Sequence, residues 1–293
     1  MSDPIPPLRM APVESAEELA HRYERERRRV LSAKENALES NTSNFRIGSV
    51  PHLNALPLTR GLDQKTTFLP PSQLAQALHN NQLDAALLSI TEALRNNHYD
   101  ILDGVAVASL GEVKSVFLAH KTPLREIQTV HCDTHSLTSV LLLKVLLAEQ
   151  NLHPQFLPLN PNPNAPLPDC FMMIGDRALR FLLSSHTHET WDLGSAWTDL
   201  TSLPFVYAVW VLQRNPNLTR LRQILREAKS FGLETLQSLI QEQTEFTPDF
   251  RRDYLTWHIH YHLGQDERRG IQCFINLLNK HNLGPVYPPN YVA

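Results

Sequence analysis

Small polar residues gather at four places where an apolar run gives way to a turn. These are Ser49 to Asn54, Ser89 to Glu92, Asp133 to Ser139, and the pair Gly175-Asp176. Hydroxyls and amides can both donate and accept hydrogen bonds. At the start of a helix they join several unpaired backbone N–H groups and the positive end of the helix dipole. The run Thr134-His135-Ser136-Leu137-Thr138-Ser139 has that composition. Such a helix start suits a carboxylate without needing Lys or Arg. The same residues serve equally well as plain helix caps, and local sequence leaves both roles open.

Other conspicuous residues carry less. His258, His260 and His262 alternate near the C-terminus. On a helix His258 and His262 share a face and His260 points elsewhere. Without a carboxylate partner in sequence they make a weak zinc signal. Cys132 beside His135 could suggest a nucleophilic thiol, but a buried structural thiol explains it as well. No G-x-G-x-x-G or Walker loop occurs, so nucleotide binding is unsupported. Trp197, Trp210 and Trp257 are expected to pack the core.

The elements that must position the four clusters follow from periodicity. Strands are expected at residues 45–50, 66–69, 84–90, 101–109 and 115–120, with a helix from Pro71 whose Leu74, Ala77 and Leu78 share a face. The run 84–90 is almost wholly apolar, as a buried parallel strand would be. A second unit opens near Ile127, with strands at 129–132, 155–157 and 170–174 and helices at 134–150 and 175–183. Helices near 218–242, 248–263 and 265–281 close the chain. This ordering predicts an α/β protein of two lobes, the first interrupted by the second, with a cleft between them. In such sheets ligands bind beyond the carboxyl ends of strands, where the polar clusters fall. The expected ranges are an arm at 1–44, lobe one at 45–126, lobe two at 127–205, and a return to lobe one with C-terminal helices at 206–293.

Composition limits the function. With 27 basic and 30 acidic residues the formal charge is -3, which argues against nucleic-acid binding by bulk electrostatics. Three scattered cysteines fit a reducing cytoplasm better than a disulfide framework. No apolar stretch reaches the ~18 residues of a membrane span. Pro4, Pro6, Pro7 and Pro12 make the first stretch irregular, and Ser15 with Glu18 forms a capping-box pattern ahead of a charged helix at about 16–38. The run Asn41-Thr42-Ser43-Asn44 reads as a linker.

Taken together, several blocks are more specific than any one motif. SVPHLNALPL (49–58), LLSITEAL (87–94), HCDTHSLTSVLLLKVLL (131–147), IGDRAL (174–179), LPFVYAVW (203–210) and DYLTWHIHYHLG (253–264) resemble the chorismate dehydratase family of the futalosine route to menaquinone. The resemblance spans about residues 45–292. It implies a two-lobed fold like the type II periplasmic binding proteins, a cleft that closes on chorismate, and loss of water to give 3-[(1-carboxyvinyl)oxy]benzoate. No metal or organic cofactor is implied. The partner is the small-molecule substrate, with neither nucleic acid nor membrane, and the chain is expected as a monomer or homodimer.

The resemblance also assigns residues. Asn54 matches the cleft asparagine and Ser89 the serine of the SITE-like block, and both are placed in catalysis. Thr138 and Ser139 match helix-start hydroxyls, with Ser136 and Leu137 offering nearby N–H groups. Asp176 matches the aspartate of the GDRAL block, where capping competes with substrate binding, and a structural role competes likewise at Glu92. His52 stands where the family usually has Tyr. That leaves open how packing and any hydroxyl contact are supplied there. Two alternatives stay open, a 1,4-dihydroxy-6-naphthoate synthase-like enzyme of the same pathway and a non-catalytic solute-binding protein. Because no ligand cluster or nucleotide loop is legible, exhaustive dialysis against a chelator is expected to leave chorismate turnover intact. Activity lost on dialysis and restored by zinc would contradict this.

Overall fold

The apolar runs divide between two sheets in the computed structural model, which describes residues 15–133, 137–162 and 165–293. The first sheet takes β1 (Ile47–Ser49), β2 (Thr66–Phe68), β3 (Ala85–Ser89) and β4 (Tyr99–Ser109). The chain then crosses to a second sheet of β5 (Val116–His120), β6 (Thr129–Cys132), β7 (Gln155–Pro158), β8 (Cys170–Ile174) and β9 (Glu189–Asp192). It returns to the first sheet with β10 (Phe205–Gln213), and β11 (Tyr291–Val292) closes that sheet's far edge. The strand orders are β11-β4-β10-β3-β1-β2 and β7-β6-β8-β5-β9. Because β1 runs parallel to β2 and β3, the carboxyl ends of β1 and β3 emerge on one side. β10 lies antiparallel between β3 and β4.

Helices cover these sheets. From the N-terminus they are α1 (Ala16–Thr42), α2 (Leu56–Thr59), α3 (Pro71–His79), α4 (Ile90–Leu94) and α5 (Leu137–Glu149). α6 (Gly175–Leu182), α7 (Leu193–Thr201), α8 (Thr219–Glu234), α9 (Leu236–Glu242), α10 (Pro248–Asp253) and α11 (Gln265–Lys280) follow. α5 is apolar on every side because it is enclosed, packing against α4, α7 and α11. α2 and α8 meet so closely that a Cβ on Gly232 would lie 1.9 Å from the Pro57 carbonyl oxygen. Among the described residues no helix is long and apolar enough to cross a membrane.

The two-lobed α/β architecture agrees with the sequence, and several details differ. The strand expected at 115–120 was placed in lobe one, yet β5 pairs antiparallel with β8 and β9 in the second sheet. An apolar run does not reveal its pairing partner. β9 and α7 had no sequence assignment. The C-terminal tail is not wholly helical, since Tyr291 and Val292 pair parallel with Ile101 and Leu102.

The expected helix over 248–263 breaks into α10, a π turn at Tyr254–His258, and extended chain. His260 there pairs as a bridge with Ala108. The shared face of His258 and His262 therefore does not exist. Among the described residues no group of three His, Cys, Asp or Glu could hold a metal ion. Trp197 and Trp210 are fully buried, but Trp257 on the π turn is 82% exposed.

The arm is more integrated than its charge suggests. The Ser15–Glu18 capping box forms, and α1 continues through Thr42 rather than ending near 38. Thr42 is buried and donates to the Leu38 carbonyl, so the expected linker is the last helical turn. α1 lies on α8, with Leu38 in the core and Lys34 paired to Glu234 at 2.7 Å. Truncating a buried leucine costs about 2–5 kcal/mol. Leu38→Ala is therefore expected to lower the unfolding free energy by about that amount in denaturant melts. Ligand affinity should not change, because α1 contributes nothing to the cavity lining.

Candidate active site

One cavity joins all four polar clusters where the two sheets meet. Its volume is about 100 Å³, several times the ~10–15 Å³ that a single water needs. From the first sheet, β1 and the 3₁₀ turn Leu53–Ala55 bring Val50, His52, Asn54 and Ala55. Leu87 and Ser89 come from β3, Val107 from β4, and Tyr207 and Ala208 from β10. The second unit supplies Val113, Ser115 and Val116 around the start of β5, Ser139 from the first turn of α5, and Ile174 with Gly175. The lining is mainly apolar with convergent hydroxyls and one amide, the usual make-up of a small-molecule site.

Local sequence explains each placement. Pro51 ends β1 and the chain turns at once, so Asn54 sits just beyond the strand's carboxyl end. Ser89 is the last residue of β3 and stands at the cap position of α4, but its side chain makes no capping bond there. Gly175 begins α6 at φ +61°, a conformation glycine adopts without strain. A Cβ there would lie 3.5 Å from the His52 ring. The first turns of α5 and α6 both reach the cavity, so two positive helix ends bear on it.

Not every expected residue reaches the lining. Thr138 is buried, and its hydroxyl accepts from Thr91 N at 3.0 Å and donates to Thr91 Oγ1 at 2.8 Å. It links α5 to α4 instead of facing a ligand. Leu137 is half-buried outside the lining, and Ser136 lies outside the described residues. Asp176 accepts from Leu53 N at 3.2 and 3.3 Å, and one of its carboxylate oxygens lies 3.8 Å from His52 Nδ1. This carboxylate fixes the turn before Asn54 from the opposite lobe. Glu92 faces an outer groove beside Arg95 and Tyr99. Burial pushes the thiols of Cys132 and Cys170 up to about 12, which removes them as nucleophiles at neutral pH.

Ser115, Tyr207 and Asp192 had no sequence assignment. Asp192 accepts from Val113 N, Lys114 N and Ser195 N, so it caps α7 and pins the crossing into β5. Burial raises its pKa, and the backbone donors oppose that rise. An aspartate ahead of Leu193-Gly194-Ser195 was a legible cap signal. Tyr207 makes a 3.1 Å hydrogen bond with Ser109 Oγ, and burial raises its pKa strongly, so its hydroxyl stays neutral. No lysine or arginine among the described residues lines the cavity. The site offers an anion neutral donors and helix ends.

Removing the Thr138 hydroxyl should act on stability. Thr138→Val leaves the buried Thr91 N–H without its partner, a loss of about 1–3 kcal/mol. Thr138→Ser should lose less in the same melts. A ligand anchor would show the opposite pattern, with stability kept and affinity reduced in calorimetric titration.

Comparison with known proteins bears on the family and the fold. A model of the menaquinone biosynthesis family matches residues 45–280. A chorismate dehydratase of Thermus thermophilus is 31% identical over 243 residues, covering 74% of this chain and 88% of that protein. Among solved structures, protein AF1704 of Archaeoglobus fulgidus superposes with a TM-score of 0.66 at 14% identity, covering 82% of this chain and 98% of that one. The periplasmic aliphatic sulphonate binding protein SsuA of Escherichia coli gives 0.55 at 14% identity, covering 85% and 93%. At such identities the structures speak for the periplasmic-binding-protein-like fold alone. The family match covers the cavity lining and every strand of the two sheets except β11, and the chain, similar to a chorismate dehydratase, belongs to the menaquinone biosynthesis family.

Proposed function

We propose that this chain is a carbon–oxygen lyase that removes water from chorismate to give 3-[(1-carboxyvinyl)oxy]benzoate. The observation that carries the reading is the convergence of Asn54, Ser89 and Ser139 on one cavity between the lobes, in a chain similar to a chorismate dehydratase. In the reaction the ring C–O bond breaks, a proton leaves the neighbouring carbon, and the ring becomes aromatic. Aromatisation supplies the driving force. The protein has to hold a dianion, exclude water and assist one proton transfer.

Asn54 orients the enolpyruvyl group and the departing hydroxyl. Ser89 and the α5 start, including Ser139, hold the ring carboxylate. An amide is a poor proton acceptor near neutral pH, Asp176 is engaged with Leu53 N, and Glu92 is off the lining. The proton then goes to the substrate's own enolpyruvyl carboxylate and from there to the departing hydroxyl, which leaves as water. Positioning alone can account for several kcal/mol of such a barrier.

Incubation with chorismate, followed by mass and ultraviolet spectra, tests the class. Loss of one water with a new aromatic absorbance is expected, and binding without turnover would favour a solute-binding role. Asn54→Ala is expected to lower kcat about 100-fold with little change in affinity. His52 is the one imidazole among the described residues that line the cavity, so it supplies the counter-test. If Asn54→Ala kept near-normal turnover and His52→Phe abolished it with binding intact, the proton acceptor would be a protein side chain.

A further inference from the structure

Tyr254 is fully buried, and its hydroxyl makes no hydrogen bond of standard geometry. The side chains that act on it include Ser115 and Asn54, with the carboxylates Asp176 and Asp192 acting through their charge. Ser115 and Asn54 both line the cavity, whereas Tyr254 is not part of its lining. A buried hydroxyl without a partner costs about 1–3 kcal/mol, and phenylalanine would fill the same space without that cost. The ring is held on several sides. Phe250 stacks on it at 6.2 Å and 11°. The π turn that begins at Tyr254 closes with Ile259 N donating to the Tyr254 carbonyl at 3.1 Å. Single π turns inside helices are frequent at functional sites.

The same turn is tied to the crossing that carries Ser115. Lys114 Nζ pairs with Asp253 at 2.7 Å, and the two ring nitrogens of His258 span the Glu112 carbonyl and Asp253. Tyr254 and Ser115 therefore cannot shift independently. Burial raises the phenol's pKa further, so it stays protonated at any working pH. A neutral phenol both donates and accepts. It can bond the amide of Asn54 with one function and the Ser115 hydroxyl with the other.

We propose that Tyr254 is a positioning residue for the dehydration, fixing which end of the Asn54 amide faces the cavity. This rests on the chorismate reading above, and two measurements keep the two claims separate. Tyr254→Phe is expected to lower kcat by about tenfold with KM within about twofold, while the melting temperature does not fall. Tyr261→Phe is the matched control, because Tyr261 also carries a buried, unpartnered hydroxyl but Asn54 is not among the groups that act on it. It should leave kcat unchanged.

Independently of any substrate, the side-chain amide resonances of Asn54, assigned by their loss in Asn54→Ala, should move in Tyr254→Phe and stay in place in Tyr261→Phe. Unmoved Asn54 resonances in a folded Tyr254→Phe protein overturn the proposal whether or not chorismate is turned over. So does an unchanged kcat. A fall in melting temperature, with kcat and KM changing together, would make Tyr254 a packing residue only. A wild-type chain that never dehydrates chorismate would sink the functional reading, and the resonances would still decide the role of Tyr254.

Discussion

A buried carboxylate at the junction of the two sheets holds the rest in place. Asp192 takes hydrogen bonds from Val113 N, Lys114 N and Ser195 N. Three otherwise unpaired donors are satisfied where the chain leaves the first sheet, enters the second and starts α7. Burial works against the charged form and the backbone donors favour it. Val113, Ser115 and Val116 all reach the cavity from the segment that Asp192 anchors. Lys114 carries the constraint onward through Asp253 to the turn that presents Tyr254.

The cavity built on this junction has mainly apolar walls, and its polar groups are hydroxyls, one amide and the His52 imidazole. Hydrogen bonds to an ionised group contribute about 1.5–3 kcal/mol each, and a helix end adds roughly 0.3–1 kcal/mol. A few hydroxyls and two helix starts can therefore hold a carboxylate without a basic side chain. On the proposed reading this has a catalytic use. A lysine or arginine would bind substrate and transition state alike, which does not raise kcat. Directional donors around Asn54 can instead favour one arrangement of the enolpyruvyl group.

The lobes are held together by contacts that are themselves polar and specific. Thr138 with Thr91 and Asp176 with Leu53 N join groups that follow strands of different sheets. Lys280 and His281 both meet Glu149 at the end of α5, on the side away from those two contacts in sequence. α1 lies outside this arrangement. It covers α8 with Leu38 and leaves most of its charged residues in solvent.

Much of this was legible in the residues before any coordinates. Continuous apolar runs such as 84–90 marked buried strands, Pro51 and Gly175 marked the turns, and the ordered blocks carried the fold and the family. Asn54, Ser89 and Ser139 line the cavity, and their positions could be read in advance because a residue just past a strand's carboxyl end or in a helix's first turn is fixed by local geometry. Pairing was not legible. That β5 joins the second sheet, that Tyr291 joins the first, and that the chain after Tyr254 leaves the helix all depend on partners more than 50 residues away. The same holds for single groups. The sequence shows that Thr138 has a hydroxyl, and only the packing of α5 on α4 decides that Thr91 takes it. Covalent neighbours set which conformations a segment can adopt, while the partner of a buried polar group is chosen by what the fold brings within about 3 Å of it.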